Sequence, residues 1–289
     1  MTAALFSARI RRQMTELETA MAATRIQRFE PFGPRGTAAA SGFVRWPDIP
    51  AADLDSGNPV QRGHYYLEDS AHGLSAGVWD CTAMTTKPAP YPVNEFMIVL
   101  EGEVTIIDAR AGAVTIEAGE SFVIPKGLAC QWHQPGYMRK FFVIFDDASG
   151  AAPRDPAALR VLRPDPRTAL APCAGPAPEL LLGAAPQQHE KLYFADLTGQ
   201  WTVGVWDSTP YRRKTIPFPR HELMHILDGE VTITEDGHPP QTFKAGDTFF
   251  VPLGTPCDWT TTGYVRKIYC IFQPKAAAVK ATTAKEAAA

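Results

Sequence analysis

Residues 221–225 read His221-Glu222-Leu223-Met224-His225, the order with which zinc metallopeptidases place two metal ligands around a general base. That chemistry needs an α-helix, because only there do residues four apart converge on one ion. Here the segment lies between Pro219 and Asp228-Gly229 and aligns with Asn94-Glu95-Phe96-Met97-Ile98, which reads as a strand. On a strand rising ~3.3 Å per residue the two histidines stand about 13 Å apart, too far to share a zinc. The peptidase reading is set aside, and His221 and His225 are expected on the face opposite Glu222, at a surface or an inter-sheet contact.

Glu222 and its counterpart Glu95 then become the residues of interest. Each sits in an otherwise apolar strand, where an unpaired carboxylate is costly, so each is expected to have a cationic or donor partner. Two roles stay open. One is a pocket acid/base, or an anchor for a cationic or amide-bearing ligand; the other is an internal ion pair with Arg139 or Lys140, and with Arg266 or Lys267 in the second copy. Cys130 and Cys257 read as small inert hydrophobes, since His133 alternates to the opposite face and leaves a nucleophilic thiol no base. Trp132 and Trp259 share their parity, as core residues or as the wall of a ligand site. His64, His72, His189 and His238 lie in turn-like contexts and take no role.

The elements that must position these residues come in two copies. A shift of 127 residues aligns Pro59–Asp146 with Pro186–Gln273 without a gap, at about 34 identities in 88 positions. Gly77-Val78-Trp79-Asp80 matches Gly204-Val205-Trp206-Asp207, and Gly102-Glu103-Val104-Thr105-Ile106 matches Gly229-Glu230-Val231-Thr232-Ile233. Residues 147–178 carry seven prolines among alanines and read as a linker. Within each copy, apolar runs of four to six residues rich in Val, Ile and Phe end at turn signals, which predicts short strands buried on both faces. Residues 8–30 read as a short polar helix, and 275–289 as a disordered tail.

The spacing of these landmarks resembles the cupin superfamily. Glu95 stands seven residues before Gly102 and Glu222 seven before Gly229, the second half of the first cupin motif. Gly119-x5-Pro125-x-Gly127-x2-Cys130 and Gly246-x5-Pro252-x-Gly254-x2-Cys257 follow the second motif until its histidine, which is cysteine in both copies. The Gly-Val-Trp-Asp opening, the later Trp and the Arg-Lys ending look most like the branch that includes (S)-ureidoglycine aminohydrolase and the ethanolamine-utilisation cupin. The resemblance implies an all-β chain of two tandem jelly-roll barrels with a short N-terminal helical extension: residues 1–42 the extension, 43–146 and 179–274 the barrels, 147–178 the linker. The family's usual divalent metal (Mn, Fe, Ni or Zn) lacks its histidines here: Ala89 and Tyr91, or Pro88 and Pro90, stand in the first copy, and Ile216 and Phe218, or Thr215 and Pro217, in the second. No cofactor is therefore expected.

The family likeness implies a small polar, nitrogen-containing metabolite held in the barrels by a catabolic, aminohydrolase-like enzyme, or else a non-catalytic binding or scaffolding cupin. Candidate catalytic residues are Glu222, Glu95, Lys267 and Lys140; candidate pocket residues are Tyr91, Cys130, Trp132, Phe218, Cys257, Trp259 and Arg266. The 28 basic and 31 acidic side chains give a net charge of -3, which removes the basic stripe that nucleic acid would need. No apolar run approaches a membrane span. Five cysteines without a C-x-x-C pair suit a reduced, cytoplasmic setting. Homo-oligomers through barrel packing are a further expectation.

Overall fold

The computed structural model describes residues 25–32, 42–108, 110–147 and 156–275. The regular structure among them is strands and three short 3₁₀ turns, arranged as two jelly rolls of two sheets each. In the first barrel the larger sheet runs in the order Ser121–Ile124, Asn94–Glu101, Met138–Phe145, Leu74–Cys81, Gln61–Asp69, Val44–Arg45. Facing it are Gly112–Glu117, Glu103–Asp108, Ala129–Gln134, Met84–Thr86 and Leu54–Gly57, with Ala89–Pro90 paired to Ala129–Gln134. The second barrel repeats the plan. Thr248–Val251, His221–Asp228, Val265–Phe272, Trp201–Ser208, Gln188–Ala195 and Ala171–Pro172 form its larger sheet. Its smaller sheet holds Arg212–Pro217, Pro256–Thr260, Glu230–Ile233 and Gln241–Lys244.

The double-sided burial of the central strands has a simple origin. In Asn94–Glu101, Met97 and Val99 point into the barrel beside Val104, Ile106 and Phe122. Phe96 and Ile98 point out, into an apolar cluster shared with Val203, Val205, Leu223, Phe250 and Ile268 of the second barrel. Alternation sends successive side chains to opposite faces, so a strand wedged between a barrel core and a partner barrel is apolar throughout. The larger sheets thus pack outer face to outer face, and Phe145 meets Phe272 with ring centroids 5.0 Å apart.

The proline-rich stretch is laid along this scaffold. Ala171–Pro172 pairs with Gln188–Ala195 as Val44–Arg45 pairs with Gln61–Asp69, so the structural repeat begins upstream of the sequence repeat. Cys173 N–H donates to Gln188 O at 2.9 Å, the counterpart of Trp46 N–H to Gln61 O at 3.0 Å.

The helix expected over residues 8–30 is corrected at its end: Gln27–Phe29 is a strand, antiparallel to Thr248–Val251 of the second barrel. The open edge of that sheet supplies backbone partners, and Phe29 is buried against Tyr66 of the first barrel, ring centroids 4.2 Å apart. Sheet pairing and burial override local helix propensity there. Residues 8–24 of the expected helix, and the expected tail beyond Lys275, lie outside the described residues. Among the described residues no helix is long and apolar enough to cross a membrane.

Candidate functional site

Each barrel interior is organised around one lysine and one glutamate. Alternation along Met138–Phe145 and Val265–Phe272 turns Lys140 and Lys267 inward and their neighbours outward. Lys140 Nζ donates to Glu95 Oε1 at 2.8 Å and lies 3.0 Å from Met97 Sδ. Lys267 Nζ donates to Glu222 Oε1 at 2.8 Å and lies 3.2 Å from Met224 Sδ. Two perpendicular tryptophans flank each ammonium: Trp79 and Trp132 at 4.8 and 4.7 Å, Trp206 and Trp259 at 4.6 and 5.0 Å. The quadrupoles of two indole faces add to the carboxylate in holding the charge.

The second carboxylate oxygen distinguishes the barrels. Glu95 Oε2 accepts from the Tyr91 hydroxyl, whereas Glu222 Oε2 accepts from Arg220 Nε at 2.9 Å. The sequence explains the exchange, since Val93 occupies the position of Arg220, and Phe218 that of Tyr91. Burial pushes the Glu222 carboxyl up, but Arg220 and Lys267 together outweigh it and hold the group below its ordinary value. Burial draws Lys267 down from the usual lysine value even with that carboxylate beside it. Tyr91 is held well above the ordinary tyrosine value, first by burial and then by Glu95. A carboxylate with both oxygens engaged and a depressed pKa is a poor proton carrier. Of the two roles the sequence leaves open for Glu222, the internal ion pair is formed, with Lys267 and not Arg266, and Arg220 joins it as a second cation.

A cavity of 410 Å³ opens on this group in the second barrel. Its lining joins Glu222, Lys267 and Arg220 to Trp206, Trp259, Tyr211 and Phe218, and adds Arg213, Glu190 and Tyr269. The first barrel has a cavity of 610 Å³ reaching Lys140, Trp79, Trp132, Tyr91 and Cys130, with a rim of Pro88, Pro90 and Pro92. Cys257 is buried beside the second cavity, where Arg213 Nη2 donates to its carbonyl at 3.1 Å. Burial pushes both Cys130 and Cys257 thiols up to about 11.

Arg266 does not line the cavity. Its side chain turns outward to Pro166 O at 2.8 Å, Thr168 O at 2.6 Å and Asp207, because it has the opposite parity to Lys267. Arg139 likewise pairs outside with Glu101. His221 and His225 lie on the face opposite Glu222, His221 against Phe250 and Phe272 and His225 Nδ1 2.8 Å from Thr248 Oγ1. His133 pairs with Thr85, away from Cys130. Arg213, Arg220, Tyr211 and Glu190 were not anticipated. Arg220 stands two residues before Glu222 and so shares its face by alternation; Arg213 stands in an Arg-Arg-Lys run that reads as a solvated edge.

The donor set does not fit the metal of the fold family. Of the inherited ligand positions, each barrel keeps one glutamate and one cysteine. The glutamate oxygens are taken by fixed donors, and the thiols are protonated at neutral pH, whereas a metal binds thiolate. Among the described residues no three His, Cys, Asp or Glu side chains come together. The cation facing each carboxylate is a lysine ammonium.

The chain is similar over 86% of its length to 99% of a protein of unknown function of the DUF861 family from Pseudomonas syringae, at 31% identity and TM-score 0.69. It also covers 98% of a Pseudomonas aeruginosa protein described as glyoxylate-induced, over 87% of its own length, at 14% identity and TM-score 0.50, a likeness of fold alone. No curated protein matches the chain. The family described as EutQ-like cupin domain matches residues 69–142 and again 196–269. The chain belongs to the EutQ-like cupin family, as a bicupin carrying that domain twice.

Proposed function

We propose that this bicupin binds a small polar, nitrogen-bearing metabolite without a metal, in the C-terminal barrel. The observation that carries the reading is the 410 Å³ cavity, within the usual range of small-molecule sites, where fixed charges sit against an aromatic wall. Lys267 has two of its three N–H groups on Glu222 and Met224, leaving one for a ligand. Glu190 lines the cavity and accepts from Tyr269 at Oε1, and in this reading its other oxygen takes a ligand N–H. Trp206, Trp259 and Tyr211 supply flat apolar contact for the body of the molecule. In the N-terminal barrel Lys140 makes the same two bonds, but Gly63 stands at the position of Glu190, Tyr91 closes on Glu95, and Trp132 Nε1 donates to Gln134 Oε1 at 3.2 Å. That barrel is the structural member of the pair, although its cavity is the larger.

The test is a thermal-shift panel of small amines, amides and ureido acids, followed by calorimetric titration of the compounds that stabilise. A ligand at 100 times its Kd stabilises the native state by about 2.7 kcal/mol. Glu190→Gln is expected to weaken binding at least tenfold, while Tyr91→Phe leaves it unchanged. Binding lost with Tyr91→Phe and kept with Glu190→Gln would move the site to the other barrel; a panel without a single stabilising compound would overturn the reading.

A further inference from the structure

Among the described residues, three buried donors of the C-terminal barrel have no acceptor: Trp201 Nε1, away from the cavity, and two on residues that line it. Arg213 Nε and Trp259 Nε1 are buried and without a partner, in side chains exposed by only 8% and 4%. Buried donors are almost always paired, because stripping water from one without replacement is costly. The two belong together. Arg213 and Trp259 are directly opposed in the pairing of Arg212–Pro217 with Pro256–Thr260, so their side chains leave the sheet on one face, and both line the 410 Å³ cavity.

The charges around that cavity do not cancel. Arg220 and Lys267 are paired with Glu222, and Glu190 is held by Tyr269. Arg213 makes no ion pair among the described residues; its guanidinium donates to the Cys257 carbonyl, lies against the Cys257 sulfur and the face of Phe218, and has the neutral Tyr211 within electrostatic reach. The lining therefore carries three cations against two carboxylates, with the surplus on Arg213.

The N-terminal barrel shows what an internally satisfied version looks like. Thr86 stands at the position of Arg213, and Gln134 at the position of Thr261. Gln134 accepts from Trp132 Nε1 and anchors itself to the carbonyls of Cys81, Thr82 and Gly136. Thr261 instead bonds to the backbone of Tyr211, which leaves Trp259 Nε1 open. The second barrel has thus gained a cation and lost an acceptor at adjoining positions.

We propose that the ligand of the C-terminal barrel is a small monocarboxylate whose carboxylate accepts from Arg213 Nε and Trp259 Nε1. This rests on the C-terminal barrel being the ligand chamber and specifies which end of the metabolite it reads. One carboxylate supplies both missing acceptors and the missing negative charge, and an N–H elsewhere in the molecule is left for Glu190. A neutral amide would satisfy the donors without compensating the charge, and an amine would add to the surplus.

The experiment is calorimetric titration of the full chain with N-carbamoylglycine, glycolate and pyruvate against glycolamide, pyruvamide, ethanolamine and inorganic phosphate. At least one carboxylate is expected to bind at least tenfold more tightly than its amide, with ethanolamine and phosphate weaker still. Arg213→Met should abolish that preference and, in the ligand-free protein, raise the melting temperature, because it removes an uncompensated buried charge. Arg213→Lys, which keeps the charge and loses the Nε donor, should bind at least fivefold more weakly than the parent. Thr261→Gln, which restores the acceptor found in the other barrel, should weaken binding while leaving Arg213 in place. Amide or amine binding that is unaffected by Arg213→Met would overturn the carboxylate assignment and leave the ligand chamber standing. A lower melting temperature for Arg213→Met with unchanged carboxylate affinity would make Arg213 structural. Silence from every compound would count against the chamber itself and this inference with it.

Discussion

Lys267 Nζ lies 2.8 Å from Glu222 Oε1, and both side chains are almost wholly buried, at 7% and 1% exposure. Such a pair contributes little over an apolar replacement of similar volume, yet breaking it from one side strands the other charge. Glu222→Gln strands Lys267 and weakens the hold on Arg220, and is expected to lower stability by about 3–5 kcal/mol. The double variant Glu222→Gln with Lys267→Met should lose less than the sum of the single changes by about 1 kcal/mol or more, measured by denaturant unfolding. Additive losses would show that the two residues do not act as a unit.

The face opposite Glu222 predicts the acid limb of stability. Burial pushes His221 and His225 down to about 4, against modest upward pulls from Asp69 on the one and Asp247 on the other, while His72 draws His221 lower. A histidine lowered in the folded state binds its proton more readily when unfolded, so stability falls as pH drops from the ordinary value near 6.5 to about 4. Glu222 acts at the lower end of that window and beneath it. Its depressed pKa contributes stability fully above the ordinary glutamate value, and that contribution is lost as pH falls through the folded value. Unfolding free energy measured from pH 7.5 to 3.5 should decline from about 6.5 downward, and His221→Phe combined with His225→Gln should flatten the upper part of that decline. An unchanged slope in the double variant would dismiss the two histidines as its source.

How much of this was legible in the residues follows from what each signal depends on. The repeat and the strand-and-turn pattern are local, so the two units and the face that each of Glu95, Cys130 and Trp132 takes could be read from parity, while the likeness to cupins implied that this face is the barrel interior. The same rule separates Lys267 from Arg266, but an Arg-Lys pair offers two cations and the sequence alone does not say which one alternation turns inward. Arg213 was hidden because its strand carries three consecutive basic residues, and the register with Pro256–Thr260 decides which of them enters the cavity. The strand at Gln27–Phe29 was hidden for a different reason: its pairing partner lies more than 200 residues away, and no local preference reports an open sheet edge at that distance.

Two motif glycines, one from each motif of the second copy, differ more than their shared conformation suggests. Gly229 and Gly246 both have positive φ, 73° and 91°. A Cβ on Gly229 would collide with the backbone carbonyl of Tyr264, whereas one on Gly246 would meet nothing within 4 Å. Gly246→Ala should cost only the left-handed backbone penalty, about 1–2 kcal/mol. Gly229→Ala should cost distinctly more, with the excess coming from displacement of the strand at Val265. Equal melting temperatures for the two variants would refute the steric account.

Metal content offers an independent check on the donor argument. Protein purified without chelator or affinity metal, assayed by inductively coupled plasma mass spectrometry, should carry well below one equivalent of manganese, iron, nickel, copper or zinc. Stoichiometric metal in the parent protein would mean that ligands other than the inherited positions rebuild a site.

The thiols report on the chamber without assuming any activity. Cys81, Cys130 and Cys257 are buried and pushed up to about 11, and Cys270 is pushed well above the ordinary value, first by burial and then by Glu222. Thiolate is the reactive form, so these four should label slowly in the native state. Cys173 is only partly buried and lines the cavity of the second barrel, on the stretch that Ala171–Pro172 pins to Gln188–Ala195. A thiol reagent such as iodoacetamide should therefore modify Cys173 before the others, by peptide mass mapping. A compound seated between Trp206 and Tyr211 should slow that modification severalfold while leaving denatured-state labelling unchanged. Binding by calorimetry with no protection of Cys173 would place the compound elsewhere on the molecule.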